Sequence, residues 1–357
     1  MTTFKVLGAV LVCLVGVSVS ACAQDVSPDD HGDVLLMAPL TSYGQHSSAG
    51  YQRLEIPALS SQAPITAMIW SPCSKQPTHD QLGPYIVEGS AGCEITGDRL
   101  PLIVISHGKG GSLLGHHDTA TALAKAGFVV ITFNQPGDSF ADEKETNNLR
   151  IFEARPTDTS RVITHMLDTW PQRAKLDSRK VGVFGFSRGG YTALALAGAI
   201  PSLSAASAQF CPRISVIATG LCGQLQSKVA SLAVQSDARV RAAVVIDPLN
   251  LFGPSGLKNV RIPIQLWASE LGGDGVNISH VHEIRKALPN EPELFIARQA
   301  GHFAYLAPCP AKFTADAPAL CNDPSGFDRT SWHQKMNSQV IRFFASTLAI
   351  EDTPAML

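Results

Sequence analysis

Short apolar runs rich in β-branched residues recur along this chain from about residue 50 onward, each bounded by polar or Gly/Pro-containing turns. Runs of about four to eight such residues suit strands buried on both faces, and the longer stretches between them place apolar residues at helical spacing. The pattern predicts eight strands: Gln52 to Ile56, Ile65 to Trp70, Leu102 to Ser106, Phe128 to Phe133, Lys180 to Phe184, Val240 to Ile246, Ile262 to Trp267 and Leu294 to Ala297. It predicts helices at His117 to Lys125, Thr157 to Thr169, Arg188 to Gly198, Ser279 to Ala287 and Asp328 to Ser346. Strand and helix alternate, so the expected fold class is α/β, a mostly parallel eight-stranded sheet flanked by helices. Pro201 to Asp237 breaks the rhythm, and two readings stay open for it: a cap folded over a site, or a surface excursion.

The N-terminus follows a different pattern. Lys5 precedes an apolar run from Val6 to Val19, too short for a membrane span of about 20 residues but suited to an export signal. Ala21-Cys22-Ala23 fits a small-x-small cleavage site before Gln24, while Val19-Ser20-Ala21-Cys22 resembles a lipobox with Cys22 as the lipid-anchored residue. The expected organisation is a leader over 1–23, a polar segment over 24–50, and one α/β domain over 51–348 carrying the insertion 201–237. A chain so organised is expected in the periplasm, secreted, or as an outer-surface lipoprotein of a bacterium.

Composition narrows the partners. With net charge -2 and 16% charged residues, there is no basic field to attract nucleic acid or an anionic membrane, which leaves a small, neutral or weakly polar substrate. Of the 8 cysteines, Cys13 and Cys22 lie in the leader. Cys73, Cys93, Cys211, Cys222, Cys309 and Cys321 form an even set, and loop-local closure pairs them in sequence order, as an oxidising compartment would allow. Their spacing matches no zinc site.

The chemistry is concentrated around Gly185-Phe186-Ser187-Arg188-Gly189, which ends an apolar run and enters an Ala/Leu-rich helix. Such a strand–turn–helix exposes a serine hydroxyl on a strained turn, whereas a serine that only caps the helix would spend its hydroxyl on a backbone amide. Ser187 is therefore the candidate nucleophile. The amide of Arg188 is one candidate oxyanion donor, and that of Lys109, in Ser106-His107-Gly108-Lys109-Gly110-Gly111, is the other. His107 reads as a structural residue under that loop. His302, in Gln299-Ala300-Gly301-His302-Phe303, comes after the last predicted strand, where the general base of this chain order belongs. For the carboxylate that orients it, Asp274 in the loop after Ile262 to Trp267 is the first candidate. Asp247, at the end of the preceding strand, is the alternative, and Glu270 is the third.

With these motifs, together with Gln265-Leu266-Trp267, Gly272-Gly273-Asp274, Ala307-Pro308-Cys309-Pro310 and Gly326-Phe327-Asp328-Arg329, the chain resembles α/β-hydrolases of the bacterial "predicted dienelactone hydrolase" group. That group is similar to the plasma type of platelet-activating-factor acetylhydrolase and more distantly to cutinase-like polyesterases. The resemblance implies an α/β-hydrolase fold and hydrolysis of carboxylic esters through an acyl-enzyme, without metal or organic cofactor. It leaves the acid open, because acetylhydrolase relatives carry it where Asp247 stands and the polyesterase pattern matches Asp274. Dienelactone hydrolysis itself is not implied, since those enzymes use a cysteine nucleophile. Two other functions compete with an exported serine esterase: a non-catalytic envelope binding protein on a hydrolase scaffold, and an acyltransferase or lipase of the same fold.

Overall fold

The unbroken apolar runs become strands covered on both sides. In a computed structural model that describes residues 46, 48–60, 62–211, 220–226 and 232–349, Leu102 to Ile105, Val129 to Ile131 and Ala242 to Ile246 are almost completely buried. Burial on both faces is what parallel strands between two helical layers require. In chain order the strands are β1 (Ser48–Ile56), β2 (Ile65–Cys73), β3 (Thr78–Leu82), β4 (Tyr85–Ala91), β5 (Leu100–Ser106), β6 (Val129–Phe133), β7 (Leu176–Phe186), β8 (Val240–Ile246), β9 (Ile264–Ser269) and β10 (Glu293–Ala297). The helices are α1 (His117–Lys125), α2 (Ile151–Thr164), α3 (Arg188–Leu196), α4 (Leu203–Phe210), α5 (Gly220–Gln226), α6 (Ile278–Ala287), α7 (Ala311–Asp316), α8 (Pro318–Cys321) and α9 (Arg329–Thr347).

The strands form one 10-stranded sheet in the order β10-β9-β8-β7-β5-β6-β2-β1-β4-β3. From β10 to β6 all neighbours are parallel, and β2 pairs antiparallel with both β6 and β1. Successive residues of a strand point to opposite faces, so each strand feeds two cores. Leu102 and Val104 join residues of α2, α3 and α6 on one side, while Ile103 and Ile105 join residues of α1 and α9 on the other. After β5 the chain moves outward to β6, then returns past β5 to β7. The carboxyl ends of β5 and β7 therefore flank the switch point, where open α/β sheets bind their ligands.

The sheet is larger than the expected eight strands by the β3–β4 hairpin. β3 is polar and mostly solvent-facing, and β4 alternates, turning Tyr85 and Val87 inward and Ile86 and Glu88 outward, so neither strand is a continuous apolar run; Leu82 pairs with Tyr85 across a two-residue Gly83-Pro84 turn. Helix α2 also begins earlier than predicted, because Pro156 lies within it instead of ahead of it. Three disulfides, Cys73–Cys93, Cys211–Cys222 and Cys309–Cys321, join the sequence-local pairs. The described parts of the insertion dock on the start of α2: the Leu149 amide donates to Gln224 Oε1 at 2.8 Å and the Ala233 amide to Glu153 Oε1 at 2.7 Å. The leader, Cys22 and the polar segment up to residue 45 lie outside the described residues, as do 212–219 and 227–231 of the insertion.

Candidate active site

The turn at the end of β7 is set by close packing. Helix α3 starts so near β5 that a Cβ on Gly189 would stand 1.8 Å from the Ser106 carbonyl oxygen, and one on Gly185 would stand 2.1 Å from the Gly189 oxygen. Between these glycines Ser187 is driven to φ 56°, a conformation costing a non-glycine residue roughly 1 to 3 kcal/mol. The neighbouring strand end holds it there: its amide donates to the Ile246 carbonyl at 2.9 Å, and its carbonyl accepts from the Leu249 amide at 3.1 Å. Ser187 occupies the N-cap position of α3, yet its side chain makes no capping hydrogen bond. Its hydroxyl is thus left for other chemistry, at a helix end that favours negative charge.

His302 opens the short 3-10 turn His302–Tyr305 after β10. Its ring stacks on Phe186, the residue before Ser187, with centroids 4.6 Å apart. Its Nδ1 lies 3.0 Å from Asp247 Oδ2, and its buried Nε2 has no hydrogen-bond partner among the described residues. Asp247 is buried and also accepts from the Ser269 amide at 2.7 Å and from the Ser269 hydroxyl. A carboxylate so fixed selects the tautomer with hydrogen on Nδ1, leaving a lone pair on Nε2.

This geometry corrects the preference for Asp274. That residue is exposed in a turn closed by the Gly273 and Val276 amides, with φ 47°, and no hydrogen bond joins it to His302. Its loop holds the histidine by backbone instead, for the His302 amide donates to the Gly272 carbonyl at 2.8 Å. Glu270 is also occupied elsewhere, accepting from the Gln299 amide at 2.7 Å and from Arg298 at 3.1 Å.

The loop after β5 lies against the serine, since a Cβ on Gly108 would approach that of Ser187 to 3.2 Å. Within it the Gly110 amide faces Asp138 Oδ1 at 3.4 Å and the Gly111 amide donates to the Gly108 carbonyl at 3.2 Å. The amides of Lys109 and Arg188 have no acceptor among the described residues, and the Lys109 side chain is exposed. His107 is neutral, burial pushing it down to about 3, and its Nε2 accepts from the Gln135 amide at 3.1 Å. The arrangement therefore combines a free hydroxyl, an oriented imidazole and two unpaired amides at the switch point. Such a set can attack a carbonyl and hold the resulting oxyanion.

Sequence reasoning missed the polar bracing around this set. Asp138, Arg155 and Arg188 form a buried ion cluster, with Arg155 2.6 Å and Arg188 3.2 Å from the carboxylate. Behind His302, His333 bridges Asp118 Oδ2 at 2.6 Å and the Ala304 carbonyl at 2.8 Å, so the turn that carries His302 is tied to α9 and α1. No signal along the chain marks them, because Arg155 and His333 stand among other polar residues of α2 and α9 and Asp138 lies in a loop.

These buried histidines make stability depend on pH. Burial lowers His107 to about 3 and His116 to about 4, against about 6.5 in the unfolded chain. Below about pH 6.5 the unfolded chain takes up protons that the folded one refuses, so each group removes about 1 kcal/mol of stability per pH unit until its folded value is reached. His333 has the opposite sign, because the Asp118 carboxylate raises it against the effect of burial. Its contribution is complete below about pH 6.5 and is lost as pH rises through its folded value. The melting temperature is expected to fall between pH 6.5 and 4.5, and His116→Leu should flatten that fall when both proteins are followed by circular dichroism. An unchanged slope would mean that His116 is not the neutral buried group described.

Residues 101–208 match the family model described as alpha/beta hydrolase fold. No curated protein matches the sequence. Among solved structures, the ferulic acid esterase from Streptomyces cinnamoneus aligns with a TM-score of 0.61 at 15% identity, over 88% of this chain and 94% of that one. The protein has the α/β-hydrolase fold.

Proposed function

We propose that the protein is a serine-dependent carboxylic ester hydrolase. The observation that carries this reading is the pairing of His302 Nδ1 with the buried Asp247 carboxylate, beside a serine held at positive φ whose hydroxyl does not cap its helix. In the proposed cycle Ser187 Oγ attacks the ester carbonyl as His302 Nε2 takes its proton, and the oxyanion lies against the Lys109 and Arg188 amides. The alkoxide leaves with the proton from His302. Water, deprotonated by the same nitrogen, then cleaves the acyl-enzyme to release the acid and restore Ser187. The esterase among the structural neighbours supports the reaction class.

Two exposed side chains bear on the substrate. Phe140, 66% exposed, follows β6 and bonds through its amide to the Gly111 carbonyl, while Leu271, 60% exposed, follows β9 beside the carbonyl that holds His302. They stand on opposite sides of Ser187 along the carboxyl edge of the sheet, which supports an ester with an apolar portion reaching past the reacting carbonyl. Three disulfides support an exported protein, consistent with the apolar leader.

A fluorophosphonate probe is expected to label the wild-type protein at a single peptide containing Ser187, with loss of nitrophenyl ester turnover in proportion to labelling. Turnover that survives complete labelling, or label carried by another residue, would overturn the assignment.

A further inference from the structure

Resting on that reading, we propose that Asp138 is the positioning residue of the oxyanion hole, a buried carboxylate that holds its two halves in register. The halves come from different parts of the chain. One is the start of α3, whose first amide belongs to Arg188, and the other is the loop 107–111 after β5. Asp138, fully buried in the segment after β6, contacts both. Its Oδ1 faces the Gly110 amide at 3.4 Å, next to the free amide of Lys109, and both of its oxygens lie 3.2 Å from Arg188 Nη1.

A third contact closes the frame. Arg155 Nη1 donates to Asp138 Oδ2 at 2.6 Å, and Nη2 of the same guanidinium donates to the His107 carbonyl and to Ser106 Oγ. The planar guanidinium thereby fixes the carbonyl at the root of the loop relative to the carboxylate that meets the loop's tip. Arg188 Nη1 also donates to the Thr146 carbonyl at 2.7 Å, which anchors the far end of the segment bearing Asp138. Both amides that face the oxyanion are thus tied to one carboxylate, although neither is bonded to it. Preorganised donors act on the transition state only if their separation is set before the oxyanion forms. A neutral or shortened side chain at position 138 would leave the donors present but free to part.

The test compares Asp138→Asn and Arg188→Met with wild type. The first keeps the volume and removes the charge. The second removes one of two cations, so the remaining Asp138–Arg155 pair stays balanced and folding is protected. For each folded variant, kcat on nitrophenyl butyrate is expected to fall by about ten- to a hundredfold, with KM within about twofold. Affinity for an alkylboronic acid, which forms a tetrahedral anion on the serine, should fall in parallel with kcat/KM. A merely structural role would lower the active fraction but leave that affinity in the surviving enzyme unchanged. Wild-type kcat in a folded variant, a loss confined to KM, or unchanged boronate affinity overturns the proposal, and so does failure of both variants to fold. Absence of ester turnover by the wild-type protein would instead sink the hydrolase reading beneath it.

Discussion

Asp247→Asn is expected to lower kcat by about four orders of magnitude and Ser187→Ala by about six, while Asp274→Gly stays within about twofold of wild type. The first effect follows from the tautomer. The Asp247 carboxylate accepts from His302 Nδ1 at 3.0 Å and is itself held by both donors of Ser269. An asparagine amide turned toward Nδ1 donates instead of accepting, which moves the ring hydrogen to Nε2 and removes the lone pair needed by Ser187. Substrate binding is untouched, so KM should change little. Glycine is the right control at position 274, because the carboxylate is removed while a φ of 47° is kept without strain. Steady-state kinetics on a short-chain nitrophenyl ester, with circular dichroism to verify folding, decide the matter. Loss of activity in Asp274→Gly with retention in Asp247→Asn would reverse the assignment.

Gly189→Ala should be among the most damaging single-methyl additions. The new Cβ would stand 1.8 Å from the Ser106 oxygen and 3.0 Å from that of His107, both backbone atoms. Neither can yield easily, since β5 is bonded to β6 on one side and β7 on the other. The start of α3 must therefore move away, taking the Arg188 amide from the loop that carries Lys109. A loss of about 3 kcal/mol or more is expected, read as a fall in melting temperature of roughly 6 °C or more. In the protein that still folds, a displacement of about 1 Å should reduce kcat about a hundredfold. Gly301→Ala is the contrasting case, for its Cβ would meet only the Gly272 oxygen at 3.7 Å, and it should melt like wild type. Equal melting temperatures for the two variants would remove close packing as the reason for glycine at position 189.

The strands that frame the site were legible because burial on both faces leaves a continuous apolar run, as in Val240–Ile246, whose predicted and observed limits coincide. The β3–β4 hairpin was not, since β3 is polar and β4 buries only alternate residues such as Tyr85 and Val87, which leaves no continuous apolar run around the Gly83-Pro84 turn. Ser187 was legible for a related reason. Strand, turn and helix are consecutive, so the close approach at Gly185 and Gly189 is written into adjacent positions.

The acid could not be chosen in the same way. Asp247 and Asp274 both follow strands and both take positive φ, and nothing along the chain says which faces an imidazole 55 or 28 residues later. The order of strands decides it. β8 lies against β7, so Asp247, the residue after β8, stands next to the serine turn, whereas the loop after β9 reaches His302 through the Gly272 carbonyl. Asp138 and Arg155 are a stronger instance, because their pairing exists only where helix α2 crosses the end of β5. By itself, then, the sequence determined the strand–helix alternation, the serine turn, the late histidine and the local cysteine pairs, all of which depend on neighbours in the chain. Only the tertiary structure decided which carboxylate faces His302 and which charges meet in the ionic frame beneath it, because a buried charge is placed by the partners that burial forces upon it.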